Sequence, residues 1–128
     1  MTENVAQVLT VLMLLLLKHF LFDFVFQRPY QFLNKGTYGH PGGILHAGLH
    51  AAGSIPALLV MPPPLWLGAA IVAGEFVVHY HLDWMKEQLQ KRFKLGNTGS
   101  AHFFVLGADQ FLHQLTYIGI AAILASVQ

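Results

Sequence analysis

The sequence predicts an all-α fold: an integral-membrane four-helix bundle with a polar His/Asp/Glu layer inside it. Three observations predict it. Hydrophobic residues make up 55% of the chain against 10% charged. The apolar residues gather into long segments near the roughly 20 residues that a bilayer core demands. Ionisable side chains recur inside those segments at helical spacing. A composition this poor in charge makes lipid the solvent for much of the outer surface. The chain reads as one transmembrane domain over residues 1–128.

Helices are expected over about residues 5–27, 42–61, 65–88 and 102–126. Between the second and third, the prolines of "MPPPLW" cannot continue a helix and force an uncharged turn. The other connections, "RPYQFLNKGTYGHP" and "QKRFKLGNTGSA", carry the glycines and asparagines of loops. The first segment is a retained anchor rather than a signal peptide, because "MTEN" is not a basic leader and no small-x-small site follows "LTVLMLLLL". Arg28 and Lys35 flank the first loop, and Lys86, Lys91, Arg92 and Lys94 flank the third. The positive-inside bias therefore puts both loops in the cytoplasm and both termini on the opposite side.

With no cysteine there is no disulfide, no thiolate nucleophile and no sulfur-ligated metal, so any ion must be held by nitrogen and oxygen. A net charge of +1, with no basic run interleaved with aromatics, excludes nucleic acid as a partner.

Residues four apart share one face of a helix. Each segment carries such a set: His19 and Asp23, His46 and His50, then Glu75, His79 and Asp83, and lastly Asp109 and His113. Counting inward at about 1.5 Å per residue puts nearly all of them in one layer of the cytoplasmic half. A lone ionisable group in hydrocarbon costs roughly 2.5–3.5 kcal/mol on insertion scales, so these side chains must face one another. The small residues of "GGILHAGLHAAG" would let the second helix approach its neighbours closely.

The pattern also repeats. "HFLFDFVFQ" aligns with "HYHLDWMKE" on its His-x-x-x-Asp pair, and "HAGLH" aligns with "DQFLH" after a further shift of three residues. This is the signature of a duplicated helical hairpin related by a pseudo-two-fold axis along the membrane normal. Glu75 has no counterpart, since Leu15 holds the matching position.

Such a ligand-rich layer follows the logic of di-metal carboxylate bundles, in which facing helices project carboxylates and histidines inward. The expected metal ligands are His19, Asp23, His46, His50, His79, Asp109 and His113, holding one or two divalent ions. Zinc, iron and manganese all suit a sulfur-free set. The same residues suit a proton or cation pathway, and a network that only fixes helix register is a third reading. Lys86, Lys91, Arg92 and Lys94 read first as contacts to anionic headgroups, or as a rim steering a phosphate-bearing lipid inward. Lys18 is expected to snorkel or to pair with a carboxylate. His102 lies nearer the surface on the Asp109 face, as an access residue. His81 points away from the polar face, His40 has no role, and Ser54, Ser100 and Ser126 sit in no nucleophile motif.

In "KHFLFDFVFQ", "HAGLH", "EFVVHYHLDWMK" and "ADQFLHQLTY" the chain resembles the small bacterial and phage membrane proteins grouped as the domain-of-unknown-function 3307 (DUF3307) family. These stretches touch all the expected helices. The resemblance implies a compact multi-helix protein of a bacterial inner membrane, with periplasmic termini under the charge bias above. It implies no reaction.

The leading functional expectation is a membrane-embedded metal-dependent hydrolase acting on a lipid, such as an anionic phospholipid, or another amphiphile reached from the cytoplasmic leaflet. The metal would polarise the ester and activate a water. Glu75 or Asp83 would be the general base, and Lys86 would stabilise developing negative charge. A di-iron oxidase would use much the same ligands. The alternative is a divalent-cation or proton transporter or channel. The outer halves "VAQVLTVLMLL", "SIPALLVM", "LWLGAAIVA" and "TYIGIAAILASV" are almost wholly apolar, which favours chemistry over passage unless a homo-oligomer builds the pore.

Overall fold

Proline and glycine set the element boundaries of the computed structural model, which describes residues 3–128. Helix α1 (Glu3–Phe20) runs into one π-helical turn, Leu21–Val25, closed by the Phe26 amide donating to the Leu21 carbonyl at 2.8 Å. Pro29, whose fixed φ suits a first turn, opens the short α2 (Pro29–Phe32). Pro41 does the same for α3 (Pro41–Gly53), where the His40 side chain accepts from the Gly42 amide at 3.0 Å. Pro56 has no N–H to offer the Ala52 carbonyl. The helix therefore breaks at Ser54 and resumes as α4 (Ile55–Val60). Beyond Pro62, Pro63 and Pro64 come the long α5 (Leu65–Arg92) and α6 (Ser100–Ser126), the latter entered through Gly99 at φ 99°.

All described regular structure is helical. The first two expected segments are thus interrupted, by a π turn and by a proline break. The third runs past residue 88 to Arg92, where Lys91 and Arg92 complement the helix dipole. Three spans are long and apolar enough to cross a membrane: Glu3–Val25, Pro41–Val60 and Leu65–Arg92. Helix α6 is 27 residues long, but Asp109, Gln110, His113 and Gln114 lower its hydropathy.

Helix α1 packs against α6 and α4, while α5 packs against α3 and α6. One end of the assembly is an apolar core built on Val11, Leu15, Met61, Ile71, Tyr117 and Leu124. The other end buries histidines, aspartates and lysines. Large hydrophobics such as Met13, Phe24, Leu59, Phe104 and Ile118 cover the outside, as a lipid-facing surface requires. Two glycines let backbones close on each other: a β-carbon at Gly42 would collide with the Tyr30 carbonyl oxygen, and one at Gly53 would lie 2.6 Å from the Phe22 ring.

Candidate metal centre

The π turn carries the first carboxylate, in keeping with the use of such turns at functional sites. From it Asp23 reaches two helices. Its Oδ2 lies 3.1 Å from His19 Nε2 on α1, and its Oδ1 lies 2.9 Å from His46 Nε2 and 3.4 Å from His50 Nε2 on α3. Helix α5 closes the set from the other side. His79 Nε2 is 3.2 Å from His46 Nε2, and its ring stacks on His50 with centroids 3.8 Å apart. Asp83, one turn on, turns Oδ2 toward His46 and His79, at 3.2 and 3.5 Å, and Oδ1 toward His113 at 3.4 Å. On α6, Asp109 Oδ1 is 3.4 Å from His113 Nε2.

Three groups in this layer could each hold a metal ion, with ligand atoms within 4.8 Å of one another: Asp23, His46, His50 and His79; His19, His79 and His113; and Asp83, Asp109 and His113. Every member is buried. The separations, from 2.9 to 3.5 Å, are within reach of hydrogen bonds and of shared coordination alike. Around a tetrahedral ion with bonds of about 2.0–2.1 Å, neighbouring ligand atoms stand roughly 3.3–3.4 Å apart. Buried polar atoms normally find a hydrogen bond. Here both ring nitrogens of His50, His79 Nδ1, His113 Nε2 and Asp109 Oδ1 have none. Asp83 Oδ2 has ion-pair approaches without an aligned hydrogen bond.

Sequence reasoning missed Lys35. It reads as a loop charge beside Arg28, yet it is 5% exposed, with Nζ 3.0 Å from Asp83 Oδ2 and 3.4 Å from Asp23 Oδ1. The loop folds back because α2 packs on α3, carrying the lysine under the layer. No periodicity signals this, since Lys35 stands outside any long helix and its partners are distant in sequence.

A second polar cluster lies toward the apolar core. Lys18 pairs with Glu75 Oε1, Ser54 donates to Glu75 Oε2, and Lys18 also donates to the His50 carbonyl at 2.8 Å. That carbonyl is open because the Ser54 amide bonds Ala51 instead. Glu75, expected as a base, thus has both oxygens engaged and stands outside the three groups. Tyr117 joins the clusters: its hydroxyl is 2.9 Å from His19 Nδ1, and its ring lies 4.7 Å below Lys18 Nζ. His19 Nε2 is also 2.9 Å from Gln110 Oε1.

Lys86 pairs with Glu87 at 3.3 Å and lines a cleft of about 140 Å³ shared with Asp23, Gln27, Lys35, Asp83 and Asp109. A larger hollow of about 820 Å³ lined from α3, α4 and α5 has no titratable side chain in its wall, whereas the smaller cleft borders the polar layer. The remaining histidines stand apart. His102 is 3.5 Å from Gln90, exposed His81 is 3.1 Å from the Tyr38 hydroxyl, and His40 caps α3.

Residues 11–128 match the family model described as protein of unknown function, DUF3307. The chain belongs to the DUF3307 family. The match encloses the whole His/Asp layer, so the metal-capable groups are part of the DUF3307 region itself. No curated protein and no solved structure matches the chain, and the chemistry of this DUF3307 member is read from its geometry.

Proposed function

We propose that this protein is a membrane-embedded, metal-dependent hydrolase of a lipid or other amphiphile. In this reading it is a four-helix bundle of a bacterial inner membrane, with the ligand layer in the cytoplasmic half and both termini periplasmic. One observation carries the reading: ligand atoms of Asp23, His46, His50 and His79 converge from the π turn, α3 and α5 within 4.8 Å of one another, while buried ring nitrogens among them lack hydrogen bonds.

A divalent ion held by these four residues would supply a Lewis acid for the scissile ester or phosphoester and an activated water. The chain's own groups do the rest. Asp83 Oδ2 faces His46 and His79 and is positioned to take a proton beside the ligand set. Glu75 is left to a structural role, because Lys18 and Ser54 occupy it. Lys86, on the wall of the cleft, meets an anionic headgroup. The apolar core from Val11 to Leu124 seals the far end, which favours chemistry over transport.

The test is elemental analysis of the detergent-solubilised protein beside His79→Ala, followed by hydrolysis assays on phospholipids in mixed micelles. Metal content that falls and ester cleavage that vanishes in the variant support the reading. A wild type that binds no divalent ion while remaining folded overturns it. Ion flux through reconstituted vesicles without hydrolysis would establish the transporter instead.

A further inference from the structure

The group of Asp83, Asp109 and His113 is one ligand short of a tetrahedral site, and the internal repeat names the missing one. The aligned positions pair His19 with His79, Asp23 with Asp83, His46 with Asp109 and His50 with His113. The packing obeys the same pairing: α1 lies on α6 as α5 lies on α3. So do the carboxylates. Asp23 directs one oxygen to His19 on its own helix and the other to His50, and Asp83 divides its oxygens in the same way between His79 and His113.

The first group takes Asp23, His46 and His50 from the first half of the chain and borrows His79 from the second. We infer that this protein holds a second divalent ion at Asp83, Asp109 and His113, completed by His19 borrowed from the first half. The inference rests on the metal reading of the first group and adds a site to it.

The second group stands on independent observations. His113 Nε2 lies 3.4 Å from both Asp83 Oδ1 and Asp109 Oδ1, and His113 Nε2 and Asp109 Oδ1 are buried without hydrogen bonds. His19 has its ring centroid 5.0 Å from that of His113, and the ligand atoms of the two lie within 4.8 Å. Its Nε2 now lies between the Gln110 amide oxygen at 2.9 Å and Asp23 Oδ2 at 3.1 Å, and Gln110 in turn donates to Asp109 Oδ2 at 3.1 Å, so His19 would exchange these two acceptors for the ion. Asp83 would serve the second site through Oδ1, while Oδ2 stays beside His46 and His79 as the proton acceptor. The exchange of His46 for Asp109 gives the second site an extra carboxylate, so it favours harder ions than the histidine-rich first one.

Titration of the full-length, detergent-solubilised chain with Mn²⁺ tests this, with metal content and electron paramagnetic resonance as readouts. The wild type is expected to bind about two equivalents with an exchange-coupled spectrum. Asp109→Asn is expected to fall to about one equivalent and lose the coupling, His19→Gln to weaken that same equivalent, and His50→Gln to spare it while removing the other. Circular dichroism and a monodisperse elution profile check that each variant is folded. A wild type saturating at one equivalent, or both equivalents persisting in folded Asp109→Asn and His19→Gln, overturns the second site and leaves the first intact. A wild type that binds none overturns both. Two equivalents without ester cleavage support this inference and sink only the hydrolase reading.

Discussion

At one end of the helices Val11, Leu15, Met61, Tyr117 and Leu124 meet with no more than 1% of their surface exposed, held by shape and dispersion. At the other end His46, His50, His79 and His113 are buried as deeply, yet several of their nitrogens have no hydrogen bond. Both regions exclude lipid equally well. They differ in whether the side chains satisfy one another. The apolar end is complete as it stands, whereas unpaired buried polar atoms each cost about 1–3 kcal/mol. A region that carries this cost on several helices at once could recover it by holding a metal ion, which is the reason for proposing a metal centre rather than a register device.

The largest effect is expected where the two regions meet. Lys18→Met leaves the Glu75 carboxylate buried beside Ser54 with no cation, and stability should fall by about 3–5 kcal/mol, read by unfolding in mixed detergent micelles. Lys18→Met combined with Glu75→Leu removes both charges and should recover more than half of that loss. Metal content of the folded fraction should stay at the wild-type value in both variants, since Glu75 lies outside the ligand groups. Loss of metal in the double variant would mean that the boundary between the regions is drawn in the wrong place.

Next in size is the occupant itself. A divalent ion at 100 times its dissociation constant should stabilise the fold by about 2.7 kcal/mol, and a chelator should remove that increment. In His79→Gln, which lacks a ligand of the first group, the chelator response should shrink. An equal chelator response in that variant would separate the stabilising ion from this layer.

Lys35→Met sharpens the comparison differently. Its ammonium lies between Asp23 and Asp83, so it neutralises the same carboxylates that an ion would use. Removing it should lower the stability of the metal-free protein and raise metal affinity about tenfold, or about 1.4 kcal/mol, measured by calorimetric titration. A fall in affinity would make Lys35 a group that positions the carboxylates rather than one that competes for them.

The apolar end was legible because length and hydropathy are properties of a segment. The polar groups on the helices were legible because i, i+4 spacing fixes a shared face whatever the neighbours do. What escaped depends on single backbone events. The π turn at Asp23 and the break before Pro56 change which carbonyls are free, and only with that break does Ser54 turn toward Glu75 and Lys18 toward the His50 carbonyl. Lys35 escaped for a related reason: a loop has no period, and its burial follows from α2 packing back on α3. Glu75 was assigned to chemistry on its spacing with His79, although a lysine one helix away takes it out of the layer.

The smallest effect tests whether the two regions can be separated at all. Tyr117 belongs to both, with its ring in the apolar core and its hydroxyl 2.9 Å from His19 Nδ1. Tyr117→Phe keeps the ring and removes only the link, so stability should drop by about 0.5–1.5 kcal/mol. Ile120→Val on the same helix should cost a similar 0.5–1.5 kcal/mol, roughly, by thinning the core. Metal affinity distinguishes them. The hydroxyl orients the His19 ring, and loss of such an outer partner typically weakens binding by about 10–100-fold. Tyr117→Phe should therefore weaken the Mn²⁺ equivalent that depends on His19 and spare the one held by His46, His50 and His79, while Ile120→Val leaves both unchanged. If the two variants match in stability and in both affinities, His19 is held by packing alone, and the link between core and centre carries no information.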